Sequence, residues 1–370
     1  MIGAAAMLDF TSALYLGFTH PSAALPPWPA LTLGRPSALQ EPEGAASTAL
    51  GLAKLTGQEA GLLYPSTLHL FHDLFRTVAG RGAALQIDAA SYPVASWGAG
   101  QVRLEGTPCQ TYPHHDATAA ARQARRAFRA GLRPVIVTEG LCPSCGRLAP
   151  LPDLTRAAAD YGGHLIVDDT QALGMLGRPA DSVAPLGLGG GGALAWFGLG
   201  GRHVTVGSSL AKGFGAPLAV LLGDSETVGR VAREGPARVH SSPPSAAAIA
   251  AAGAALAANA TMGDLLRGRL GRRIEQLRRG LRRLGVRLLS TLPLPVQTIA
   301  LPSPDAAPSV LAALEAEGVR AVATKSCAGG VALTILLTAR HAARDVQRLL
   351  DALAHALPEF RHSRLRIAAS

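Results

Sequence analysis

A lysine in a glycine-flanked loop and an aspartate that ends an apolar run are the residues of this chain best suited to chemistry. Lys212 lies in SSLAKGFGAP (208–217), and Asp168 ends GHLIVD (163–168). A lysine between small residues can lose its hydration, which suits a Schiff-base amine, although a lone lysine of this kind is more often a surface residue. An aspartate at the end of a buried strand needs a cationic partner. A protonated pyridine nitrogen is such a partner, and this pair of residues is typical of pyridoxal phosphate enzymes.

The CxxC unit formed by Cys142, Pro143, Ser144 and Cys145 allows three interpretations. It could be a redox pair, half of a zinc site, or two small residues in a loop. Zinc needs four ligands, and the sequence shows no second CxxC and no nearby histidine pair. A redox pair of the thioredoxin type needs its own βαβ unit. We therefore expect two small loop residues and no metal site, with a substrate-facing thiol of redox or sulfur-carrying function as the alternative.

Short apolar runs alternate with helical segments through the first two thirds of the chain. PVIV (134–137) and GHLIVD are examples of such runs. This alternation predicts a mostly parallel sheet flanked by helices, which is an α/β fold. Ligands of such sheets bind at the carboxyl ends of the strands, where Glu139 and Asp168 lie. After about residue 235 a long alanine-rich helix, a basic helix, short strands and a helix over 341–357 predict a smaller α+β domain.

The predicted organisation has three parts. Residues 1–45 form an N-terminal arm, 46–235 a large cofactor-binding domain, and 236–370 a small C-terminal domain. The glycine-rich stretch 187–201 contains a formal G-x-G-x-x-G match. We reject a dinucleotide site there because no strand precedes it, and we expect a mobile loop near the site.

Composition excludes some classes of protein. Hydrophobic residues are 48% and charged residues 16% of 370, which excludes disorder. The N-terminus lacks the pattern of a secretory signal, and the most apolar stretch, 244–259, is mostly alanine, so we expect a cytoplasmic protein without a membrane span. The formal net charge is +10, and arginines concentrate over 267–287 on an amphipathic helix. This basic face is either solvated or a docking patch for coenzyme A or a carrier protein. We see no nucleic-acid-binding motif.

Beyond these patterns, the chain resembles a known family over nearly its whole length. GGHLIVDDTQALGMLG (162–177) followed by SSLAKGFGAPLAVLLG (208–223) is similar to the α-oxoamine synthase group of fold-type I pyridoxal phosphate enzymes. That group includes 8-amino-7-oxononanoate synthase, aminoketobutyrate CoA ligase, 5-aminolevulinate synthase and serine palmitoyltransferase. Further similar segments follow the family's order: LDFTSALYLGF (8–18), GLLYPST (61–67), VTEGLCPSCGRLAPL (137–151), HSSPPSAAA (240–248) and ALTILLTARH (332–341). The resemblance implies an aminotransferase-like fold of type I.

The resemblance also implies roles for the cofactor's immediate surroundings. Lys212 would attach the cofactor and move protons at the substrate α-carbon, and Asp168 would pair with the pyridine nitrogen. Backbone amides near Ser66, Thr67 and Leu68 would hold the phosphate, helped by the hydroxyl of Ser209. A helix N-terminus suits that task because its first amides are free to bind an anion.

Other positions are implied less directly. Tyr92 stands where the family stacks a histidine on the cofactor ring, with a core tyrosine as the alternative. Gln171 stands where a histidine contacts the cofactor's phenolic oxygen, and Glu139 at a family acid near the substrate. His240 or Ser241 would reach the phosphate in the neighbouring subunit, which implies a homodimer with shared active sites.

Three departures from the family concern the substrate. The family binds the amino acid carboxylate with an asparagine, a serine and an arginine, and this chain has Ala13, Pro143 and Thr334 at those positions. Together with Cys142 they are the expected substrate-contacting positions. An arginine fork is the usual carboxylate clamp. We therefore expect a masked or thioester-bound amino acid, or an amine without a carboxylate, unless Arg340 takes over the clamp.

The resulting prediction is a pyridoxal phosphate-dependent transferase. It would condense an amine or amino acid derivative with an acyl thioester carried by coenzyme A or a carrier protein. Transamination and C–S or C–C lyase chemistry on the same cofactor are the alternatives. A degenerate, non-catalytic binding module is a third reading, which the retention of both Lys212 and Asp168 disfavours.

Overall fold

The computed structural model describes residues 7–180, 184–301, 303, 305–327 and 329–357. Residues 1–6 of the predicted arm and 358–370 of the predicted small domain lie outside the described residues. The described strands are β1 (Leu8–Asp9), β2 (Ala60–Tyr64), β3 (Ala83–Asp88), β4 (Cys109–Tyr112), β5 (Arg133–Glu139), β6 (His164–Asp168), β7 (Val204–Ser209), β8 (Ala219–Gly223), β9 (Val296–Ala300), β10 (Val319–Arg320), β11 (Val322–Lys325) and β12 (Val331–Leu336).

Seven of these strands form the central sheet, in the order β2, β8, β7, β6, β5, β3, β4. Strands β7, β6, β5, β3 and β4 are parallel, whereas β8 is antiparallel to both of its neighbours. Successive residues of β5 face opposite cores, since Val135 and Val137 pack in one apolar cluster and Ile136 in the other. Burial on both faces explains why these strands are continuous apolar runs.

Helices cover both faces of the sheet. The described α-helices are α1 (Ala45–Thr56), α2 (Thr67–Val78), α3 (Pro93–Gly98), α4 (Gly100–Leu104), α5 (Ala117–Arg129), α6 (Leu151–Ala159), α7 (Gly192–Phe197), α8 (Ser225–Glu234), α9 (Pro236–His240), α10 (Ala246–Leu284), α11 (Ala306–Ala316) and α12 (Ala343–Ala356). Asp116, Asp224 and Ser245 cap α5, α8 and α10 by accepting a backbone N–H of the first turn.

The C-terminal region has its own antiparallel sheet of β11, β12 and β9, packed with α11 and α12. Strand β1 pairs in parallel with β10, so the N-terminal segment joins this region. The predicted fold class is confirmed: a mostly parallel sheet between helices, followed by a smaller α+β part. The domain boundaries at residues 45 and 235 stay predictions.

The alanine-rich and basic segments, predicted as two helices, are one helix, α10, of 39 residues. Its length and its mean hydropathy of 1.4 over the most apolar window would allow a membrane span, with 39% of that window buried in the fold. Helix α10 packs against α1 and α12, and helices in the core of soluble proteins also meet these criteria. Its basic half is not uniformly solvated, because Arg267 is only 2% exposed.

Arg267 connects α10 to the segment that follows the Asp168 strand. Its guanidinium donates to Gly174 O (2.7 Å), Asn259 Oδ1 (2.8 Å) and Asp264 Oδ1 (2.6 Å). We expect Arg267→Ala to lower the free energy of unfolding by about 2–4 kcal/mol, because buried acceptors lose their donor. Urea unfolding measures this, and the exposed Arg269→Ala is the control, expected within about 0.5 kcal/mol of wild type. Equal losses in both variants would contradict this role.

The glycine-rich stretch is packed rather than a free loop, which corrects the expectation of a mobile segment. Its residues 190–194 are buried, and Asn259 Nδ2 donates to Gly189 O at 2.9 Å. Asp169 accepts the N–H of Ala193 at 3.1 Å, which holds the start of α7 beneath the site. Gly192 has φ 79°, and a Cβ there would lie 1.9 Å from Asp169 Oδ2, so this position requires glycine.

Candidate active site

The carboxyl ends of β5, β6 and β7 surround a cleft of about 160 Å³. The residues that line it are Thr67, Tyr92, Glu139, Leu141, Pro143, Asp168, Thr170, Gln171, Ser209 and Lys212. Eight of the predicted positions meet there, at the edge where ligands of parallel sheets bind. A larger groove of about 540 Å³ beside α7 has basic residues in its lining but no carboxylate, so the chemistry points to the smaller cleft.

Two carboxyl groups lie side by side in the cleft, because Glu139 and Asp168 are paired in the β5–β6 register. Burial, followed by the charge of Asp168, raises the pKa of Glu139 to about 8, although the Tyr92 amide and Lys212 oppose the shift. Burial also raises the pKa of Asp168, while hydrogen bonds from Thr170 oppose it. The Thr170 N–H donates to Asp168 Oδ1 at 3.0 Å. The Asp168 side chain is thus held in place. Its negative charge is not fully compensated by the protein, and a cationic ring nitrogen would supply the missing positive charge.

The Lys212 amine lies in the same cleft, between small residues after β7. Burial lowers its pKa, and the carboxylates of Asp168 and Glu139 oppose that shift. A depressed pKa increases the neutral fraction of an amine, which is the form that attacks a carbonyl. The Nζ atom lies 6.0 Å from the centre of the Tyr92 ring.

Tyr92 is not a core residue, which removes the alternative interpretation of this position. Its side chain is 55% exposed and stands at the cleft, before Pro93 begins α3. Its backbone N–H donates to Glu139 Oε1 at 2.6 Å. The ring is therefore free to stack on a planar ligand, and its amide orients the carboxylate of Glu139.

The N-terminus of α2 supplies an anion-binding end. Ser66 precedes the helix in extended conformation (φ −159°, ψ 164°), and the first turn contains no acidic residue. Thr67 lines the cleft, with Ser209 among the other lining residues. The Leu68 side chain is 47% exposed, so it is the backbone amide of this residue that could contribute. These features fit a phosphate.

Two residues that were not predicted from the sequence, Thr170 and Tyr15, hold predicted site residues in position. Thr170 accepts the Ser209 N–H through Oγ1 at 3.0 Å, which connects the Asp168 strand to the Lys212 loop. Tyr15 is fully buried and donates its hydroxyl proton to Gln171 Oε1 at 2.5 Å. With its oxygen occupied, Gln171 keeps its NH₂ group as the donor for a ligand.

Three of the four predicted substrate contacts lie outside the cleft, and only Pro143 lines it. Ala13 packs on the main core. Thr334 is buried in the C-terminal sheet, with its hydroxyl 2.6 Å from that of Thr324. Cys142 is 1% exposed and therefore does not face a substrate as the alternative interpretation required.

The remaining predicted positions are also elsewhere. His240 and Ser241 lie at the end of α9 and do not line this chain's cleft. Arg340 is bound to the N-terminal segment, since its Nε donates to Gly17 O at 2.8 Å and an Nη donates to Thr19 Oγ1 at 2.9 Å.

Contrary to the expectation from sequence spacing, two further residues able to ligate a metal lie beside the CxxC unit. The chain brings His114, from the turn after β4, and Cys327, from the β11–β12 turn, to Cys142 and Cys145. These residues are far apart in sequence, so spacing alone could not reveal them. The sequence signal that could have raised the question is the His114–His115 pair, which follows β4 after Pro113.

The raised pKa of Glu139 predicts a pH-dependent stability of the cofactor-free protein. Between its ordinary value of 4.5 and about 8, folded Glu139 keeps a proton that the unfolded chain releases. The contribution of Glu139 to the free energy of unfolding is therefore complete below pH 4.5 and is lost as the pH rises through about 8. Over this pH range we expect the unfolding midpoint of Glu139→Gln to decrease less with rising pH than that of wild type. Denaturant unfolding at several pH values measures it, with exposed Glu226→Gln as control. An unchanged slope in Glu139→Gln would contradict the assignment.

The chain has sequence relatives among known proteins. An 8-amino-7-oxononanoate synthase from Ralstonia pickettii (strain 12J) is 32% identical over 259 residues, which are 68% of this chain and 59% of the relative, so the match spans about three fifths of that protein. One from Halorhodospira halophila (strain DSM 244 / SL1) is 31% identical over 312 residues, covering 82% of this chain and 73% of the relative. No protein-family model matches.

The fold is also similar to solved structures of proteins from this group. A serine palmitoyltransferase from S. paucimobilis, with a bound PLP–myriocin aldimine, superposes with a TM-score of 0.83 at 18% identity. That match covers 96% of this chain and 88% of the other. At such identity the likeness concerns the fold, whereas the sequence relatives establish kinship. The chain belongs to the α-oxoamine synthase family of fold-type I enzymes.

Proposed function

We propose that the chain binds pyridoxal 5'-phosphate in the described cleft and transfers an acyl group from a thioester to an amine-bearing substrate. The observation that carries this proposal is the meeting of Lys212, Asp168 and the N-terminus of α2 at one cleft. An amine, a carboxylate and an anion site match the aldehyde, ring nitrogen and phosphate of that cofactor. The related 8-amino-7-oxononanoate synthases support the same chemistry.

Each residue would have a distinct task. Asp168 would hold the ring nitrogen, the amides at Thr67 and Leu68 with the Ser209 hydroxyl would hold the phosphate, and Tyr92 would stack on the ring. Gln171 would donate to the phenolic oxygen. When bound, the cofactor supplies an electron sink for a carbanion at the substrate α-carbon.

Two side chains of the cleft, Lys212 and Glu139, would move protons during the reaction. Lys212, with its lowered pKa, can accept a proton at the α-carbon and return it. Glu139 is also poised near neutral pH, since its pKa is raised to about 8, and it can carry a proton at the substrate side of the cleft. Leu141 and Pro143 add apolar surface that excludes water there.

The substrate lacks a conventional carboxylate clamp. Lys212 is the one cationic side chain among the described residues that line the cleft. Arg340, the candidate replacement, is held by Gly17 and Thr19. We therefore propose a substrate whose carboxyl group is masked, for example as a thioester, or absent. Such a group would tolerate the neutral surface at Pro143, whereas a free carboxylate would lose its solvation without a counter-charge.

We also propose that the enzyme is a cytoplasmic homodimer. His240 is exposed at the end of α9, where it is available to a second subunit. Coenzyme A or a carrier protein would present the acyl group, and the exposed arginines of α10 would contact its phosphates.

One experiment tests the function and its alternatives. Purified protein is loaded with the cofactor, and its visible absorbance is followed while glycine, alanine, serine and their thioesters are added. Free thiol is measured after an acyl-CoA is supplied. We expect absorbance changes with the masked amino acids and thiol release that depends on both substrates. Saturable binding of free amino acids would contradict the substrate proposal. Turnover with an oxo acid and no thioester would favour an aminotransferase.

A further inference from the structure

Three of the chain's four cysteines and one histidine converge beside the cleft, outside the machinery described above. One ligand atom from each of His114, Cys142, Cys145 and Cys327 can be chosen so that all four lie within 4.8 Å of one another. Cys142 Sγ is 3.3 Å from Cys327 Sγ, and His114 Nε2 is 3.4 Å from Cys145 Sγ. Tetrahedral zinc, with bonds of about 2.3 Å to sulfur and about 2.0 Å to nitrogen, places its ligand atoms about 3.5–3.8 Å apart.

The histidine is oriented as a metal ligand. Its Nδ1 lies 2.8 Å from Asp88 Oδ1, which leaves Nε2 directed at the sulfur atoms. Asp88 is itself fixed, because it accepts the N–H groups of Ala90 at 2.8 Å and His115 at 2.9 Å. A carboxylate that fixes the remote nitrogen of a histidine is the usual support of a zinc-bound imidazole.

The CxxC turn is also shaped for a metal. Gly146 N donates to Cys142 O at 2.9 Å, which closes the turn around the two cysteines. Gly146 has φ 60°, and a Cβ there would lie 2.8 Å from Ser290, so the turn depends on glycine. Arg147 Nε lies 3.4 Å from Cys145 Sγ. Three thiolates around a divalent ion leave one negative charge, which this guanidinium offsets.

We propose that His114, Cys142, Cys145 and Cys327 form a structural zinc site that joins the C-terminal β11–β12 turn to the rim of the substrate cleft. Four protein ligands leave no open position, which is the pattern of a structural rather than a catalytic zinc. Pro143 lies between two of the ligands and lines the cleft. The metal would therefore fix the wall where the family's carboxylate-binding serine is replaced.

Two other uses of the thiols fit the geometry less well. A disulfide has sulfur atoms about 2.05 Å apart, whereas all four cysteines are free in the structure and the sulfur atoms of Cys142 and Cys327 are 3.3 Å apart. A sulfur-carrying thiol must be accessible, whereas Cys142 is 1% exposed. A redox pair would also give no role to His114 and its Asp88 support.

The test measures zinc directly. Protein purified from zinc-supplemented cells, without a metal-affinity tag, is analysed by inductively coupled plasma mass spectrometry and by chelator competition. We expect about one zinc per chain in wild type. Cys327→Ser should lose most of it, and Asp88→Asn should weaken zinc affinity about 10–100-fold. Cys109→Ser is the matched control, since this fourth cysteine lies on β4 outside the cluster, and it should keep full zinc.

The outcomes separate the site from the proposed function. Cys327 lies in a surface turn, so its variant should fold and retain the visible absorbance of the bound cofactor. Equal zinc in wild type and Cys327→Ser would overturn the proposal. So would wild-type protein that, fully reduced, neither contains zinc nor binds added Zn²⁺. A Cys142–Cys327 disulfide in freshly purified protein, seen by peptide mass, would likewise overturn it in favour of a redox pair.

Discussion

Replacing Lys212 by alanine should reduce kcat/KM by about 10³-fold or more, because one amine provides both covalent attachment and proton transfer. The amine is half-buried in the cleft with Asp168 and Glu139, and its lowered pKa makes it nucleophilic. Borohydride reduction followed by peptide mass analysis gives a readout independent of turnover. The wild-type peptide that contains Lys212 should gain the reduced cofactor, and the variant should gain none.

Lys54→Ala is the control for this experiment, since Lys54 is an exposed lysine on α1. It should keep both activity and cofactor labelling at Lys212. Lys212→Arg keeps the positive charge but not a usable nucleophile, so it should be nearly as inactive as alanine. Substantial turnover by either Lys212 variant would show that the chain uses its cleft differently from its family.

The strands and their functional ends could be predicted because the information is local. Continuous apolar runs such as PVIV mark strands buried on both faces, and the polar residues that follow them fall at one edge of the sheet. This reasoning predicts that Glu139, Asp168 and Lys212 lie at one edge of the sheet, and all three line the same cleft. The break predicted between the alanine-rich and basic segments is absent, because no proline interrupts α10 and glycines such as Gly263 and Gly268 are accommodated within the helix.

The zinc candidate could not be predicted because its ligands come from three separate segments. His114 follows β4, the CxxC unit follows β5, and Cys327 lies almost two hundred residues further along in another sheet. Each segment alone has an ordinary interpretation. Likewise, Arg267 belongs to a run of arginines whose typical fate is solvent, and only the packing of α10 against the glycine-rich stretch buries it.

Asp168→Asn should separate stability from function. Burial raises the pKa of Asp168, so its ionised form is destabilising in the cofactor-free fold above the ordinary value of 3.8. That cost is absent well below this value and is complete once the pH exceeds the raised pKa. An asparagine of the same shape removes the charge and can still accept the Thr170 N–H through Oδ1. We expect the cofactor-free variant to be more stable than wild type at pH 8, by about 1 kcal/mol or more.

The activity of the same variant should fall, by about 10²-fold or more in kcat, because a neutral amide does not keep a ring nitrogen protonated. Urea unfolding of the cofactor-free protein and steady-state kinetics of the loaded protein measure the two effects. Asp224→Asn is the matched control: Asp224 is also buried, but it caps α8, and asparagine caps equally well. A variant at position 168 that lost stability while keeping its activity would contradict both roles given to Asp168. If the Asp168 carboxylate serves to bind a cationic ligand, the substitution should raise stability and lower activity. The reason is that the charge does not stabilise the fold until the ligand is bound.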